Sequence, residues 1–333
     1  MSAGTTAPTT VLRVNLAGPP AAPADLSARY RAAVEMARYA DEHGLGMIQT
    51  EEHHATDNGW MPSPLAFAGA VLGATRRIGV TVSALITPLH DPLRLAEDIA
   101  VLDLLGGGRL VTVAGLGYRP EEYAAHGKEW RDRGALQDEV LQTLLNAWTG
   151  EPFTYQGRTV QVTPRPYSRP HPPLLVGAPR GPRPGARPAW DCRSSQRPPA
   201  GAGALLPRAA RRRRHRGLGA PTAAAHLSAA HLRGSGPELG RARRPPAVRG
   251  TAVRGVAVRR SRSAVRSAAR DAAALRAEGV YRIVTPDDCV ELAQQDGARG
   301  TLILHPLCGG MPVEEGWRSL RLFAEKVLPR LTD

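Results

Sequence analysis

The sequence predicts an α/β fold built on a parallel sheet and, among such folds, favours a (β/α)₈ TIM barrel. Strand-like apolar runs alternate with helical segments along most of the 333 residues, the order expected of repeated β-α units. Residues 78–86 and 109–114 are almost continuously apolar, as in strands covered on both faces. The length suits a barrel of about 250 residues with an insertion. A doubly wound dinucleotide-binding sheet is disfavoured, because no G-x-G-x-x-G follows the first strand.

Local signals justify the individual elements. Apolar residues of segment 26–43 recur on one helical stripe, and Gly44 follows as a helix-ending glycine. Ser63 and Pro64 are expected to cap and begin a helix over 63–74, and a run of three glycines closes a helix over 92–105. The remaining predictions are strands at 11–16, 46–50, 78–86, 109–114, 173–176, 281–284 and 301–305, helices at 136–149, 265–278, 286–295 and 312–328, and a small hairpin at 153–162.

The positive charge is concentrated in one part of the chain. The net charge is +14, yet residues 177–262 contain 20 arginines, no lysine and two acids, which gives that window a charge of +18. The remaining residues carry 24 basic and 28 acidic groups, a net charge of −4. The chain is therefore an ordinary, mildly acidic protein interrupted by a segment rich in Arg, Ala, Pro and Gly.

Three interpretations of this segment stay open: a basic arm that binds nucleic acid, a plain flexible linker, or translation in a shifted frame of GC-rich DNA. Codon degeneracy permits an earlier frame at 177–193 that encodes Gly-Gly-Ser-Ser and a helix-forming run, and a later frame at 245–257 that encodes an amphipathic helix. We therefore divide the chain into a first barrel part at 1–177, a basic and poorly ordered segment at 178–262, which we interpret as frameshifted, and a second barrel part at 263–333.

Composition also restricts location. No apolar run reaches the ~18–20 residues that cross a bilayer, so no membrane association is expected. The first ten residues lack the basic start and apolar stretch of a secretory signal. Three cysteines are too few for a disulfide scaffold, which favours a reducing, cytoplasmic compartment. Cys289 and Cys308 belong to no motif, and we expect them to be unreactive.

Polar residues cluster where predicted strands end, the position that carries function in a barrel. The second strand runs into Thr50-Glu51-Glu52-His53-His54, and the third into residues 86–92. The fourth is followed by Gly115-Leu116-Gly117-Tyr118 and then by Glu121-Glu122-Tyr123. These three loops are expected to open on one side of the molecule.

The paired histidines can be interpreted in several ways. Neighbouring residues point to different sides, so His53 and His54 cannot chelate one ion as an i, i+4 helical pair does, and we expect no metal site. Two alternatives remain: loop histidines held by hydrogen bonds, or a histidine that contacts a cofactor or transfers a proton. The glycines at 115 and 117 would let the backbone approach a flat ligand, although they also suit a tight turn.

Taken together, these strand ends resemble the bacterial luciferase-like family of flavin-dependent oxidoreductases. The matching text is QTEEHHATDNG at 49–59, RIGVTVSALITPLHDP at 77–92, LRLAEDIAVLDLLGGGRLVTV at 93–113 and GLGYRPEEYAAHG at 115–127. The resemblance extends to 305–331 and covers about 11–177 and 264–333. Each motif alone is weak, whereas the set is specific.

The resemblance implies a dimeric (β/α)₈ barrel that binds reduced FMN, or in some relatives an 8-hydroxy-5-deazaflavin coenzyme, at its C-terminal edge. It implies a monooxygenase that acts on paired donors, with O₂, a small organic substrate and a separate flavin reductase as partners. A deazaflavin-dependent dehydrogenase or reductase is the alternative enzyme; a nucleic-acid-binding protein or an inactive remnant is the alternative outside enzymes. His53 is the expected catalytic residue. Cofactor contacts are expected from Glu52, His54, Ser83, Ala84, Thr87, Gly115, Gly117, Tyr118 and Gly177.

One family feature is missing from the sequence. Relatives carry a Gly-Gly-Ser-Ser-like turn after the fifth strand, and its backbone N–H groups and hydroxyls hold the FMN phosphate. Here Gly177 is followed by Ala178, Pro179 and Arg180, and proline removes a donor. We therefore expect a weakened phosphate site and a barrel that does not close cleanly.

Overall fold

Eight parallel strands form one sheet in the computed structural model, which describes residues 8–177, 227–232, 281–296 and 300–331. The strands of the sheet are β1 (Thr9–Val14), β2 (Met47–Thr50), β3 (Gly79–Leu85), β4 (Leu110–Ala114), β7 (Leu174–Val176), β8 (Leu227–Leu232), β9 (Tyr281–Val284) and β10 (Thr301–Leu304). A separate antiparallel hairpin consists of β5 (Phe153–Tyr155) and β6 (Arg158–Val160). The predicted parallel α/β organisation and the predicted hairpin are confirmed.

Helices follow most of these strands. Those in the described residues are α1 (Pro23–Glu42), α2 (Pro64–Ala74), α3 (Pro92–Gly106), α4 (Pro120–Ala125), α5 (Arg133–Ala147), α6 (Pro286–Asp296) and α7 (Val313–Lys326). Short 3₁₀ turns lie at Thr87–Leu89, Trp130–Asp132, Cys308–Gly310 and Leu328–Leu331. The helix predicted at 265–278 lies outside the described residues. No helix in the described part of the chain is long and apolar enough to cross a membrane.

Two predicted helix starts are corrected. Helix α1 begins at Pro23, three residues before the predicted start, because proline is accommodated in the first turn, where its missing N–H has no helical partner. Ser63 precedes α2 but its side chain makes no capping hydrogen bond; its carbonyl instead accepts from the N–H of Phe67 (3.3 Å). Pro64 does begin the helix as predicted.

The register of the strands separates two faces of the sheet. Ladder pairing places four apolar residues side by side on neighbouring strands, and all four are buried in the main core beneath α1, α2 and α3: Leu12, Ile48, Val80 and Leu110. Because side chains alternate along a strand, the opposite face carries Arg13, Gln49, Thr81 and Val111. This opposite face is the one that a closed barrel would enclose.

Closure of the barrel is not observed among the described strands. Their order is β7-β4-β3-β2-β1-β10-β8-β9, and no ladder between described residues joins the edge strands β7 and β9. Leu175 in β7 and Ile283 in β9 are 42% and 43% exposed, since each lies on an edge strand. The expectation that the barrel does not close cleanly stays a prediction.

Strand β8 lies inside the basic segment. Residues 227–232 pair in parallel with β10 on one side and β9 on the other. No strand was predicted at these six residues, and the expectation that segment 178–262 is poorly ordered stays a prediction. Backbone hydrogen bonds to two neighbouring strands form a ladder without a strong sequence pattern. The rest of the segment lies outside the described residues.

Candidate active site

The C-terminal ends of β2, β3, β4 and β7 are joined by backbone hydrogen bonds. The N–H of Glu52 donates to the carbonyl of Ala84 (3.3 Å) and that of Gly115 to the carbonyl of Leu85 (2.8 Å). The N–H of Gly177 donates to the carbonyl of Ala114 (2.8 Å). The loops that the sequence predicts on one side of the molecule therefore lie next to one another at this edge.

His53 lies at the centre of these loops with its ring orientation fixed. Its Nδ1 is 2.9 Å from Oε1 of Glu122, and its Nε2 is 3.5 Å from the Tyr118 hydroxyl, at the outer limit of a hydrogen bond. The Trp60 ring covers one side of the imidazole, with ring centroids 3.8 Å apart. Only 7% of His53 is exposed. These contacts define which ring nitrogen faces Tyr118.

Glu122 holds His53 from the short helix α4. Glu122 is fully buried, and its Oε1 also accepts from the backbone N–H of His54 (3.0 Å) and from Arg119 (3.4 Å). An oxygen that already accepts from these donors favours the His53 tautomer with the proton on Nδ1. Nε2 is then the nitrogen with a lone pair towards Tyr118. The other oxygen of Glu122, Oε2, has no hydrogen-bond partner within the described ranges.

Glu52 lies beneath the same loops and is only 1% exposed. Its Oε1 accepts from Nε2 of His54 (2.9 Å) and of His90 (2.8 Å), and its Oε2 accepts from the N–H of Ile86. Burial raises the pKa of Glu52, but the hydrogen bonds from His54, His90 and Ile86 and the charge of His90 outweigh it and lower the pKa to about 2. This carboxylate therefore ties the β2 loop to the β3 loop in its ionised form.

A second carboxylate, Glu51, organises the barrel-side face. It pairs with Arg13 of β1 and accepts from Asn15 Nδ2 (2.7 Å) and Trp60 Nε1 (2.8 Å). Because the Trp60 ring also packs against His53 at a tilt of 44°, this network links β1 to the histidine. No role was predicted for Arg13, Asn15 or Trp60. One sequence signal could have indicated the position of Arg13. Side chains alternate between the two faces along β1 and β2, and this alternation places Arg13 beside Gln49.

The residues predicted to lie against a flat cofactor are small and sit at the ends of β3 and β4. Ser83 and Ala84 are half-buried, with a cis peptide bond between them. Gly117 has a φ of +67° and faces Ile86. Thr87 is fully buried, and its Oγ1 has no hydrogen-bond partner in the described part of the chain. Contact of any of these residues with a ligand stays a prediction.

Gly115 is required by a close approach of two strand ends. A Cβ at this position would lie 2.6 Å from the Cβ of Ala84, which is closer than two carbon atoms can pack. We expect Gly115→Ala to lower the free energy of unfolding by about 1–3 kcal/mol, because the overlap must displace the backbone of β3 or β4. Urea denaturation of both proteins measures this.

Gly134→Ala is the matched control for that substitution. Gly134 lies in α5, and a Cβ there would meet no atom within 4 Å. Where the backbone conformation suits it, alanine in place of glycine stabilises a protein by about 0.4–1 kcal/mol, because it restricts the unfolded chain, so this variant should be at least as stable as the wild type. Equal changes in the free energy of unfolding of Gly115→Ala and Gly134→Ala would contradict the predicted overlap with Ala84.

The structure describes only some of the remaining features that were predicted from the sequence. Gly177 is exposed at the end of β7, and residues 178–180 lie outside the described residues. No group of three or more metal-ligating side chains that could hold an ion occurs among residues 8–177, 281–296 and 300–331. Burial raises the pKa of Cys289 to about 11, which agrees with the expectation that this thiol is unreactive.

A family model described as luciferase-like monooxygenase matches residues 9–301. The oxygenase component of a flavin-dependent trigonelline monooxygenase from Acinetobacter baylyi is 27% identical over 156 residues, 45% of this chain and 43% of that protein. The F420-dependent glucose-6-phosphate dehydrogenase of Amycolatopsis mediterranei is 30% identical over 152 residues, 43% of this chain and 45% of the relative.

A solved structure resembles the whole chain. The monooxygenase RslO1 from Streptomyces bottropensis superimposes with a TM-score of 0.59 at 20% identity, covering 96% of this chain and 99% of the other. At this identity the likeness concerns the fold alone, and it supports a TIM-barrel-like α/β arrangement. By sequence, the chain spans about half the length of the curated relatives it matches.

Proposed function

We propose that this chain, which belongs to the luciferase-like monooxygenase family, is a flavin-dependent oxidoreductase that oxidises a small organic substrate with O₂. Membership of the family supports the oxidoreductase class. The monooxygenase reaction on paired donors, FMN as the cofactor, a separate flavin reductase, a homo-oligomer and a cytoplasmic location are parts of the proposal. The similarity to an oxygenase component of a flavin-dependent monooxygenase supports the reductase partner.

The observation that carries the proposal is the fixed imidazole of His53. Glu122 engages Nδ1 at 2.9 Å, and this leaves Nε2 to accept or deliver a proton at the C-terminal edge, beside Tyr118. A general acid or base needs this combination of one anchored nitrogen and one directed at the reacting group. The Trp60 ring covers the imidazole and limits the approach of water from that side.

The residues at the strand ends fit the ring of a flavin. Ser83 and Ala84 present small side chains at the end of β3, and Gly115 presents none at the end of β4. Two buried atoms that have no hydrogen-bond partner among the described residues, Thr87 Oγ1 and Glu122 Oε2, lie in the 3₁₀ turn after β3 and in helix α4. A bound reduced flavin would supply the electrons for the reaction, and the chain would orient the substrate and shield the site.

The phosphate end is proposed to be the weak part of the site. Relatives hold this group with a glycine- and serine-rich turn, whereas Gly177 is followed here by Ala178 and Pro179. Because the turn normally contributes backbone and hydroxyl donors, its replacement removes the interaction that distinguishes FMN from riboflavin. The chain should therefore recognise the ring without a strong preference for the phosphate.

Titration of the full chain with FMN and with riboflavin, followed by flavin fluorescence, tests both parts of the proposal. We expect both ligands to bind with dissociation constants that differ by less than about fivefold, in the range above 1 μM. Lack of any flavin binding would contradict the proposed function. Binding of FMN at or below the micromolar range, and much tighter than riboflavin, would show instead that the phosphate site is intact.

The alternative function is that of a deazaflavin-dependent dehydrogenase or reductase. It is favoured by the similarity to a relative that is named as F420-dependent. Titration with an 8-hydroxy-5-deazaflavin coenzyme separates the two functions, because the preferred cofactor should bind at least tenfold more tightly. A nucleic-acid-binding role would show as salt-dependent binding to DNA that persists near physiological ionic strength.

A further inference from the structure

Helix α4 contacts all three loops of the candidate site through two neighbouring side chains. Glu122 reaches the β2 loop, where it bonds to His53 and to the backbone of His54. Tyr123 reaches the β4 loop, where its hydroxyl donates to the carbonyl of Leu116 at 2.7 Å. Leu116 lies between Gly115 and Gly117 in the β4 loop. The helix is thus placed to set the geometry of the histidine and of the glycine loop together.

The Tyr123 ring is enclosed in a small core of its own. It is fully buried with Ile86 and Leu89 from the β3 loop, and the Trp130 ring packs edge-on against it, with centroids 5.1 Å apart at 86°. Packing on several sides leaves the ring one position, so the direction of the hydroxyl is fixed. Burial raises the pKa of Tyr123, which keeps the hydroxyl protonated and able to donate.

The bond to Leu116 matters because glycines flank the residue that receives it. Glycine lacks a Cβ, so the backbone at Gly115 and Gly117 has a wider range of allowed φ and ψ than at other residues. On the β3 side, the N–H of Gly115 donates to Leu85 (2.8 Å). The Tyr123 hydroxyl restrains the carbonyl of the following residue, Leu116. Together the two bonds define the orientation of the Gly115–Gly117 backbone.

We propose that Tyr123 is a positioning residue that fixes the backbone of the Gly115–Gly117 loop through its hydrogen bond to Leu116. The inference rests on the proposed function in one respect, namely that this loop faces the flavin ring. Tyr123 does not itself touch the reacting atoms. Its effect is to keep the loop in the one conformation that accepts a flat ligand, so that binding requires no ordering of the loop.

The experiment compares Tyr123→Phe with Thr75→Val. Phenylalanine keeps the ring and its packing and removes only the hydroxyl. Thr75→Val is the control. The buried Thr75 hydroxyl also donates to a backbone carbonyl, that of Val71 (2.7 Å), and it accepts from Arg109 Nη1 (3.0 Å), but both bonds lie at the end of α2 ahead of β3. Both variants lose a buried hydroxyl-to-carbonyl bond, and only one of them loses it next to the site.

Hydrogen–deuterium exchange and flavin binding are the two measurements. In flavin-free protein, amides of residues 115–118 should exchange about tenfold faster in Tyr123→Phe than in the wild type or in Thr75→Val. The dissociation constant for riboflavin should rise about tenfold in Tyr123→Phe and stay within twofold in Thr75→Val. Equal changes in the two variants, or unchanged exchange at 115–118, would overturn the proposal.

The design separates this inference from the proposed function. If the wild type binds no flavin, the proposed function fails, while the exchange measurement alone still decides whether Tyr123 fixes the loop. If the wild type binds flavin and Tyr123→Phe exchanges and binds like the wild type, the proposed function stands and the positioning role is wrong. Thermal denaturation of both variants provides the comparison for general stability.

Discussion

Replacing His53 with asparagine is expected to lower turnover by about 10²- to 10⁴-fold, the usual contribution of a general acid or base. Asparagine can still donate to Glu122 in place of Nδ1, so the anchoring bond is kept. It has no equivalent of Nε2, the nitrogen directed at Tyr118. The loss should therefore appear in kcat, with little change in flavin affinity.

The measurement is product formation by the full chain with reduced FMN, O₂ and a substrate identified from a panel of small organic compounds. His43→Asn is the matched control, since His43 is an exposed residue beyond the C-terminal end of α1, and its Nδ1 and backbone N–H both bond to the carbonyl of Tyr39 in that helix. That variant should turn over like the wild type. A His53→Asn enzyme within threefold of the wild type would remove His53 from the proposed proton transfer.

Substituting Glu52 with glutamine is expected to give the largest loss of stability, about 3 kcal/mol at pH 7. The pKa of Glu52 is about 2 in the folded protein, against 4.5 for an ordinary glutamate, a difference that corresponds to roughly 3 kcal/mol. Glutamine removes the charge. It also turns an N–H₂ group towards donors whose hydrogen bonds the carboxylate accepts. Breaking a buried charge network costs about 3–5 kcal/mol, which is consistent with this value.

The same carboxylate makes stability depend on pH in a defined window. Because its folded pKa is depressed, Glu52 stabilises the fold fully above about pH 4.5, and this contribution is lost as the pH falls towards 2. Urea denaturation at several pH values between 7 and 3 should show a decline in the wild type that is smaller in Glu52→Gln. The difference between the proteins isolates Glu52 from other carboxylates.

Glu35→Gln is the control for that series. Glu35 is an exposed residue of α1 that pairs with Arg38 three residues later, and such surface pairs contribute about 0–1 kcal/mol. Its denaturation curves should follow those of the wild type at every pH. If the free energy of unfolding fell with pH equally in Glu52→Gln and in the wild type, the contacts with His54 and His90 would not be what keeps the buried carboxylate ionised.

Local pattern explains why much of the fold was predicted. Continuous apolar runs identified β3 and β4 to within a residue or two, and glycines marked the ends of α1 and α3. The prediction was less accurate where propensity is weak: Ser63 does not cap α2, and β8 forms within the basic segment. A strand held by hydrogen bonds to its neighbours needs little pattern of its own, and so the sequence did not reveal it.

The candidate site was predictable only in part. His53, Glu52 and the glycine loop follow predicted strands, so the parallel sheet brings them to one edge. Glu122 belongs to the polar run after the fourth strand, but the sequence did not indicate its role. Its partner His53 lies 69 positions away, and the direction of a side chain in a loop obeys no repeating period that a sequence could display.

By itself, then, the sequence determined the order of β-α units, the concentration of charge in 177–262, and the set of strand ends that carry polar residues. These follow from hydrophobic period, turn residues and composition, all of which are local. Only the tertiary structure decided that Glu122 orients His53, that Glu52 is buried between two histidines, and that Tyr123 reaches Leu116. Those contacts depend on how separate loops pack in space, where burial and hydrogen bonding select one arrangement among many that the local pattern allows.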